Sequence, residues 1–178
     1  MIIGLTGLKR SGKSTAAEYL EDNHGFRRVN FKDALVSEML DRLPSVLLQL
    51  KEQYKMDIHE LFIEKPPIMR ALMQNYGTEV RRGDDPNYWV KRWLALVDGD
   101  VVADDVRFKN EAQTIADKGG VIVRIVRHDQ DDDDDQHQSE VEQSALKADF
   151  TVYAATGQHG NLYQQLEKVI HEIKSNVD

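Results

Sequence analysis

A three-layer α/β fold, a parallel sheet of about five strands with helices on both faces, is what this sequence predicts, on three observations. Short apolar β-type runs alternate with helical patterns along the 178 residues. A glycine-rich loop leads straight from the first such run into a helix, and one long helical stretch interrupts the alternation between the second and third strands. Strands alternating with helices mean βα units, and a sheet built from them is covered on both faces.

The first strand is Met1-Ile2-Ile3-Gly4-Leu5-Thr6, and the helix that follows the loop runs through Thr15-Ala16-Ala17-Glu18-Tyr19-Leu20. Asn23-His24-Gly25 reads as its stop, Gly25 suiting a left-handed C-cap. Phe26-Arg27-Arg28-Val29-Asn30-Phe31 alternates like a second strand. The pattern is helical from Lys32 to about Asp98, so an insert of about 33–98 is expected. Gly99 to Val106 is a third strand, apolar and ending in acids. Asn110 to Lys118 makes a short helix stopped by Gly119-Gly120. Val121 to Arg127 is a fourth strand and Phe150-Thr151-Val152-Tyr153 a fifth. Leu162, Leu166, Val169, Ile170 and Ile173 mark one face of a closing helix. The length suits one domain, 1–178, carrying the insert and a short lid at about 127–142.

Composition narrows the class. No apolar run approaches the roughly eighteen residues that span a bilayer, and no basic stretch followed by a cleavable apolar segment opens the chain. The absence of cysteine excludes disulfides, thiolate catalysis and thiolate metal sites. A soluble cytoplasmic protein is the expectation. The net charge of −8 is concentrated: without the six aspartates Asp129 and Asp131 to Asp135, −2 remains. The body is near neutral and has no broad basic face for a nucleic-acid polymer, so a small anionic substrate gripped by a few arginines fits better. The aspartate run itself reads as a solvated, mobile loop.

Gly7-Leu8-Lys9-Arg10-Ser11-Gly12-Lys13-Ser14 has the spacing G-x-x-x-x-G-K-S between a strand and a helix. In that context backbone N–H groups turn inward around a β-phosphate, and the helix N-terminus adds its partial positive charge. Gly7 and Gly12 permit the tight loop. Lys13 would reach the β- and γ-phosphates, and the Ser14 hydroxyl would ligate Mg²⁺. Gly7, Lys9, Arg10, Ser11, Gly12, Lys13, Ser14 and Thr15 are the expected nucleotide contacts. A P-loop on the first strand admits kinases and GTPases; the long helical insert favours a kinase.

Phosphoryl transfer needs a second phosphate grip, and the insert offers one. Arg70, Gln74 and Thr78 are spaced by four, on one helix face, with Arg81 and Arg82 close behind. Each arginine can equally be a solvated surface charge. Asp85-Pro86 predicts a new helix with Asp85 as cap and Pro86 at its first position, and Trp89 and Trp93 are expected in the core. Asp104-Asp105 ends the third strand, where a carboxylate holds the Mg²⁺ shell beside Ser14. Arg107, two residues on, can reach an acceptor phosphate or the transferring group; a strand-end turn with a salt bridge is the other reading. Arg127 stands where a kinase lid would begin and is expected on the nucleotide phosphates.

The P-loop, then Gly77-Thr78-Glu79 with Arg82 and Asp85-Pro86…Trp89, and Asp105-Val106-Arg107-Phe108-Lys109-Asn110-Glu111, together resemble the bacteriophage-type deoxynucleoside monophosphate kinases. His137-Gln138-Ser139-Glu140 and Asp149…Gly157…Leu162 extend the resemblance over nearly the whole chain. It implies ATP- and Mg²⁺-dependent conversion of a deoxynucleoside 5′-monophosphate to the diphosphate, in the cytoplasm of a host if the chain is of phage origin. Lys13, Arg107 and Asp105 would carry catalysis, with Ser14 and Asp105 on the metal. Arg70, Gln74, Thr78, Arg82 and Arg107 would face the acceptor; Arg127 and Gly157 would lie on the nucleotide, the adenine near Gly157. One departure stands out: the lid is a run of aspartates where basic residues would be expected. Animal-type phosphomevalonate kinases share the layout, but paired arginines would stand there where this chain has Arg107-Phe108. A P-loop ATPase or nucleotide switch acting on a protein partner is the reading from another class. A homodimer is compatible with the sequence but not required, since one core accounts for every apolar face.

Overall fold

The computed structural model describes residues 1–127, 143 and 145–175. The lid beyond Arg127, the aspartate run and His137-Gln138-Ser139-Glu140 lie outside the described residues. In chain order the elements are β1 (Ile2–Thr6), α1 (Lys13–His24), β2 (Arg27–Arg28), α2 (Phe31–Arg42), α3 (Pro44–Tyr54), α4 (Ile58–Glu64) and α5 (Pro67–Gln74). A π-helical segment (Asn75–Arg82) follows, then α6 (Tyr88–Leu94), β3 (Val101–Ala103), α7 (Lys109–Asp117), β4 (Val121–Arg127), β5 (Phe150–Ala154) and α8 (His159–Ser175). The chain forms two compact units, one of Met1–Asn30 with Leu96–Asp178, the other of Phe31–Ala95. No helix among the described residues is long and apolar enough to cross a membrane.

The first unit is a five-stranded sheet in the order β2-β3-β1-β4-β5, parallel throughout. β1 is central, with Ile3 opposite Val102 of β3 and Val121 of β4. All five β1 residues are buried, as a parallel strand covered on both faces requires. Strand alternation sorts the two faces. Ile3, Leu5, Val102, Val123, Ile125 and Val152 pack against Ala16, Ala17 and Leu20 of α1 and against Leu162, Leu166, Val169, Ile170 and Ile173 of α8. The closing-helix stripe read from sequence is that set.

Gly4 points to the opposite face, where α7 lies so close that a methyl there would sit 2.7 Å from Ile115 Cδ1 and 2.8 Å from Ile122 Cδ1. Both neighbours are ends of flexible side chains. Gly4→Ala is expected to cost about 1–2 kcal/mol through overpacking, seen as a lower denaturant midpoint at constant slope. An unchanged midpoint would mean that this face packs more loosely than described. At the sheet edge, Asp149 fixes β5 in register: its N–H donates to Ile122 O at 2.8 Å and its carboxylate accepts from Ile122 N–H at 2.7 Å.

Two strands are shorter than their sequence patterns. β2 keeps only Arg27 and Arg28, because Asn30 turns its side chain onto the Asp104 amide at 2.8 Å and Phe31 opens α2. β3 stops at Ala103, and Asp104 to Phe108 form the turn into α7. That turn is closed by Glu111, whose carboxylate accepts from the Arg107 and Phe108 amides at 2.8 and 3.1 Å, half of a capping box.

The second unit is all helical. Met39, Leu47, Leu50, Leu61 and Met69 form its core. Phe31 stacks on Trp93 with centroids 4.5 Å apart, and Trp89 and Trp93 are buried. Pro44 and Pro67 begin helices, where a missing N–H costs nothing. Two expectations are corrected. Asp85 is not the cap of the next helix: its carboxylate accepts from Asn87 N–H at 3.0 Å and pairs with Lys91 at 2.8 Å, and α6 begins at Tyr88. The Arg70/Gln74/Thr78 stripe is not one straight α-helical face either. α5 ends at Gln74, and the next eight residues are π-helical, the Gly83 amide reaching back five residues to Thr78 O. In a wider turn, a spacing of four falls short of a full revolution.

Candidate active site

The P-loop hangs from the C-terminal end of β1. Gly7 has φ 141°, and a Cβ there would stand 2.2 Å from the Ile125 carbonyl oxygen, so only glycine fits against β4. Arg10 takes a left-handed φ of 64°, and the loop is braced by Ser11 N–H donating to Leu8 O at 3.1 Å. Gly12, at φ 104°, is the N-cap of α1 and has no side chain to bind the first-turn amides. The first turn also holds no acid. Amides left without a side-chain cap, at the positive end of a helix dipole, form an anion site. Lys13 Nζ lies within the loop, donating to Gly7 O at 2.6 Å and Leu8 O at 2.8 Å. Ser14 is exposed at the start of α1 and Thr15 is half-buried beside it. The hydroxyls of Thr6 and Ser11 are buried and have no hydrogen-bond partner among the described residues.

Because the sheet is parallel, the ends of β3, β4 and β5 open on the same edge as the P-loop. Asp104 is nearly buried: its carboxylate accepts from Arg28 at 3.5 Å, and Arg28 also pairs with Glu21 of α1 at 2.5 Å. Asp104 is thus engaged as a structural anchor, while Asp105 is half-buried in the turn that follows. Arg107 is half-buried in that same turn, its backbone held by Glu111. Arg127, the last residue of β4, donates to Arg10 O and to Thr156 Oγ1, each at 2.8 Å. Gly157, at φ 72°, completes the turn between β5 and α8, where Gln158 N–H donates to Ala155 O at 3.1 Å. The first unit therefore brings Lys9 to Thr15, Asp105, Arg107, Arg127 and Gly157 to one sheet edge.

Arg70, Gln74, Thr78 and Arg82 belong to the second unit. Arg70 is exposed; the other three are half-buried, and Arg82 donates to Pro86 O at 3.4 Å. Sequence reasoning missed what organises this segment. Glu38 of α2 is buried, and its carboxylate accepts from the hydroxyls of Tyr76 at 2.8 Å and of Tyr88. It pairs with Arg81 at 2.5 Å and Arg92 at 3.1 Å, and Arg81 lies over the rings of Tyr76 and Tyr88. Burial pushes the Glu38 pKa up, but the two tyrosine hydroxyls and the two guanidiniums more than reverse this and hold it below the usual carboxylate value. Arg81 is accordingly a structural cation of the π-helical segment. A signal for this was present: Phe31, Ala34, Leu35, Glu38 and Met39 follow the helical stripe, so Glu38 is an acid at a core position.

A strand–loop–helix phosphate cradle on a five-stranded parallel sheet defines a P-loop kinase, a nucleotide-binding phosphotransferase. No family model matches the chain. It is 32% identical over 167 residues, covering 83% of this chain and 84% of the relative, to a protein of Acanthamoeba polyphaga mimivirus described as "Putative deoxynucleotide monophosphate kinase". The chain belongs to the deoxynucleotide monophosphate kinase family. Among solved structures it is similar to shikimate kinase from Aquifex aeolicus vf5, with a TM-score of 0.48 and 16% identity over 99% of this chain and 98% of that one. It is also similar to shikimate kinase from Bacteroides thetaiotaomicron, with a TM-score of 0.47 and 15% identity over 96% and 98% of the two chains.

Proposed function

We propose that this protein transfers the γ-phosphoryl group of ATP, with Mg²⁺, to a deoxynucleoside 5′-monophosphate, giving the diphosphate and ADP. Membership in the family, carried by the mimivirus relative, is the observation that supports this most. The reaction asks little covalent chemistry of the protein: an oxygen of the acceptor phosphate must be aligned with the γ-phosphorus and the equatorial charge neutralised. That acceptor phosphate is already largely ionised at neutral pH, so no strong general base is required.

Lys13 would exchange the Gly7 and Leu8 carbonyls for β- and γ-phosphate oxygens. The uncapped start of α1 and the amides of Lys9 to Thr15 would hold the phosphates, and the adenine would lie by the turn at Gly157. Mg²⁺, when bound, supplies positive charge at the transferring group. The donors available to it are hard oxygens, the Ser14 hydroxyl and the Asp105 carboxylate. Among the described residues no group of three or more His, Asp and Glu side chains is gathered into a metal cage. That donor set fits an ion held by one or two protein oxygens together with substrate phosphates. Asp104 is buried whereas Asp105 is half-buried, so Asp105 is the better candidate of the pair.

Arg70, Gln74, Thr78 and Arg82 are the candidates for holding the acceptor, with Arg107 serving its phosphate or the transferring group. Arg107→Ala is expected to lower kcat by about 10²-fold, the size of losing one preorganised charge donor, while the Kd for ATP changes little. Loss confined to ATP affinity would move Arg107 to the nucleotide side. The reading as a whole is tested with γ-labelled ATP and Mg²⁺. Label appearing in a deoxynucleoside diphosphate supports it; label appearing only in inorganic phosphate, whatever acceptor is supplied, overturns it.

A further inference from the structure

Arg127 stands where a lid arginine would be expected to clamp phosphates, yet its guanidinium is committed elsewhere. One nitrogen donates to the carbonyl of Arg10, inside the P-loop, and the other to the Thr156 hydroxyl, in the turn between β5 and α8, both at 2.8 Å. Arg10 is the one P-loop residue other than glycine with a left-handed backbone, a conformation that persists where the surroundings enforce it. A charge-assisted bond to its own carbonyl is such an enforcement. On the other side, Thr156 precedes Gly157, whose positive φ shapes the turn. The P-loop also packs on the strands that lead here, Ala154 of β5 and Ile125 of β4 lying within ordinary contact of where a Gly12 Cβ would be. One side chain therefore ties the loop that holds phosphates to the turn beside which the base is placed.

We propose that Arg127 and Thr156 are a pair of positioning residues that fix the base-side turn against the P-loop, and that Arg127 acts by this strap rather than by clamping phosphate. The inference rests on the proposed adenine position near Gly157. A nucleoside triphosphate spans both loops and must match the distance between them, whereas a bare triphosphate touches only one. Loosening the strap should therefore weaken ATP selectively, through a looser base turn. Thr156, which has no charge to offer a phosphate, should show the same selectivity.

The test measures Kd for ATP and for inorganic tripolyphosphate, both with Mg²⁺, by calorimetry on the wild type, Arg127→Gln, Thr156→Val, the double variant and Thr156→Ser. Thr156→Val is expected to weaken ATP binding about tenfold, the size of one charge-assisted hydrogen bond, and to leave tripolyphosphate within about twofold. Arg127→Gln should weaken ATP at least as much, the double variant no further than Arg127→Gln, and Thr156→Ser should restore wild-type affinity. If Arg127→Gln weakens tripolyphosphate as much as ATP while Thr156→Val changes neither, Arg127 is a phosphate clamp and the strap is wrong. If the wild type already binds tripolyphosphate as tightly as ATP, the base site itself fails and the proposal falls with it, a result distinct from the first. Thr156→Val removes no charge and sits in an exposed turn, so it reports even if Arg127→Gln folds poorly.

Discussion

Lys13→Ala is expected to abolish measurable phosphoryl transfer, a loss of about 10³–10⁴-fold in kcat/KM, with the thermal unfolding midpoint nearly unchanged. Lys13 Nζ makes its bonds to Gly7 O and Leu8 O at the loop itself, and its side chain belongs to no packed cluster. Removing it therefore takes away a charge held within the P-loop and little buried surface. Circular dichroism and a melting curve establish that the fold survives; turnover at saturating ATP reads the chemistry. Turnover within about tenfold of wild type would contradict the roles given to the P-loop, since one charge donor at a transferring group is worth more than that.

The second large effect is on stability. Glu38→Gln should cost about 2–3 kcal/mol, a large share of the ~5–15 kcal/mol that a domain of this size has. Breaking a fully buried ion pair costs ~3–5 kcal/mol, but here the three arginines around Glu38, Arg42, Arg81 and Arg92, reach solvent and recover part of their hydration, so the lower value applies. The pH dependence identifies the cause. Because the folded-state pKa of Glu38 is depressed, its contribution is fully present above the ordinary glutamate pKa of about 4.3 and is lost as pH falls through the lower folded value. The gap in stability between wild type and Glu38→Gln, read from denaturant titrations, should be widest near neutrality and should narrow progressively as pH falls below about 4.3. A gap that stays constant from neutrality to acid would assign the effect to shape rather than charge. The same substitution frees Arg81 and Tyr76, and so loosens the segment carrying Thr78 and Arg82.

Sequence disclosed the first unit well and the second poorly, for physical reasons. The P-loop is legible because its backbone needs glycine: φ is positive at Gly7 and Gly12, and at Gly7 β4 also leaves no room for a Cβ, so the letters and the geometry coincide. The closing helix is legible because Leu162, Leu166, Val169, Ile170 and Ile173 face one continuous apolar wall. β2 and β3 are shorter than their patterns because the bond from the Asp104 amide to the Asn30 side chain draws both strand ends out of the ladder, and a bond across 74 residues leaves no local mark.

In the helical unit the pattern of four between Arg70, Gln74 and Thr78 assumed one regular helix. The backbone instead changes pitch at Asn75, in the segment whose Tyr76 and Arg81 are gathered on a carboxylate from α2. Asp85-Pro86 had the letters of a helix start, but the Asp85 carboxylate reached the Asn87 amide and delayed the helix to Tyr88. Glu38 was visible as an acid at a core position, with Arg42 four residues on as its local partner, but its closer partners Tyr76, Arg81, Tyr88 and Arg92 are 38 to 54 residues away in sequence and cannot be read from spacing. At the candidate site, the P-loop residues carried a motif, whereas the Arg127–Thr156 bond left no mark in the sequence, because it joins the end of one strand to the turn after another.

Acceptor-dependent ADP release from ATP and Mg²⁺ is the direct measurement of the proposed kinase activity. The four deoxynucleoside monophosphates, their ribose counterparts and phosphomevalonate would be offered one at a time. Fast turnover with one or more deoxynucleotides, weaker with the ribonucleotides, is the predicted result, and the same panel maps base preference. Turnover with phosphomevalonate alone, or ADP release that no acceptor accelerates, would contradict it.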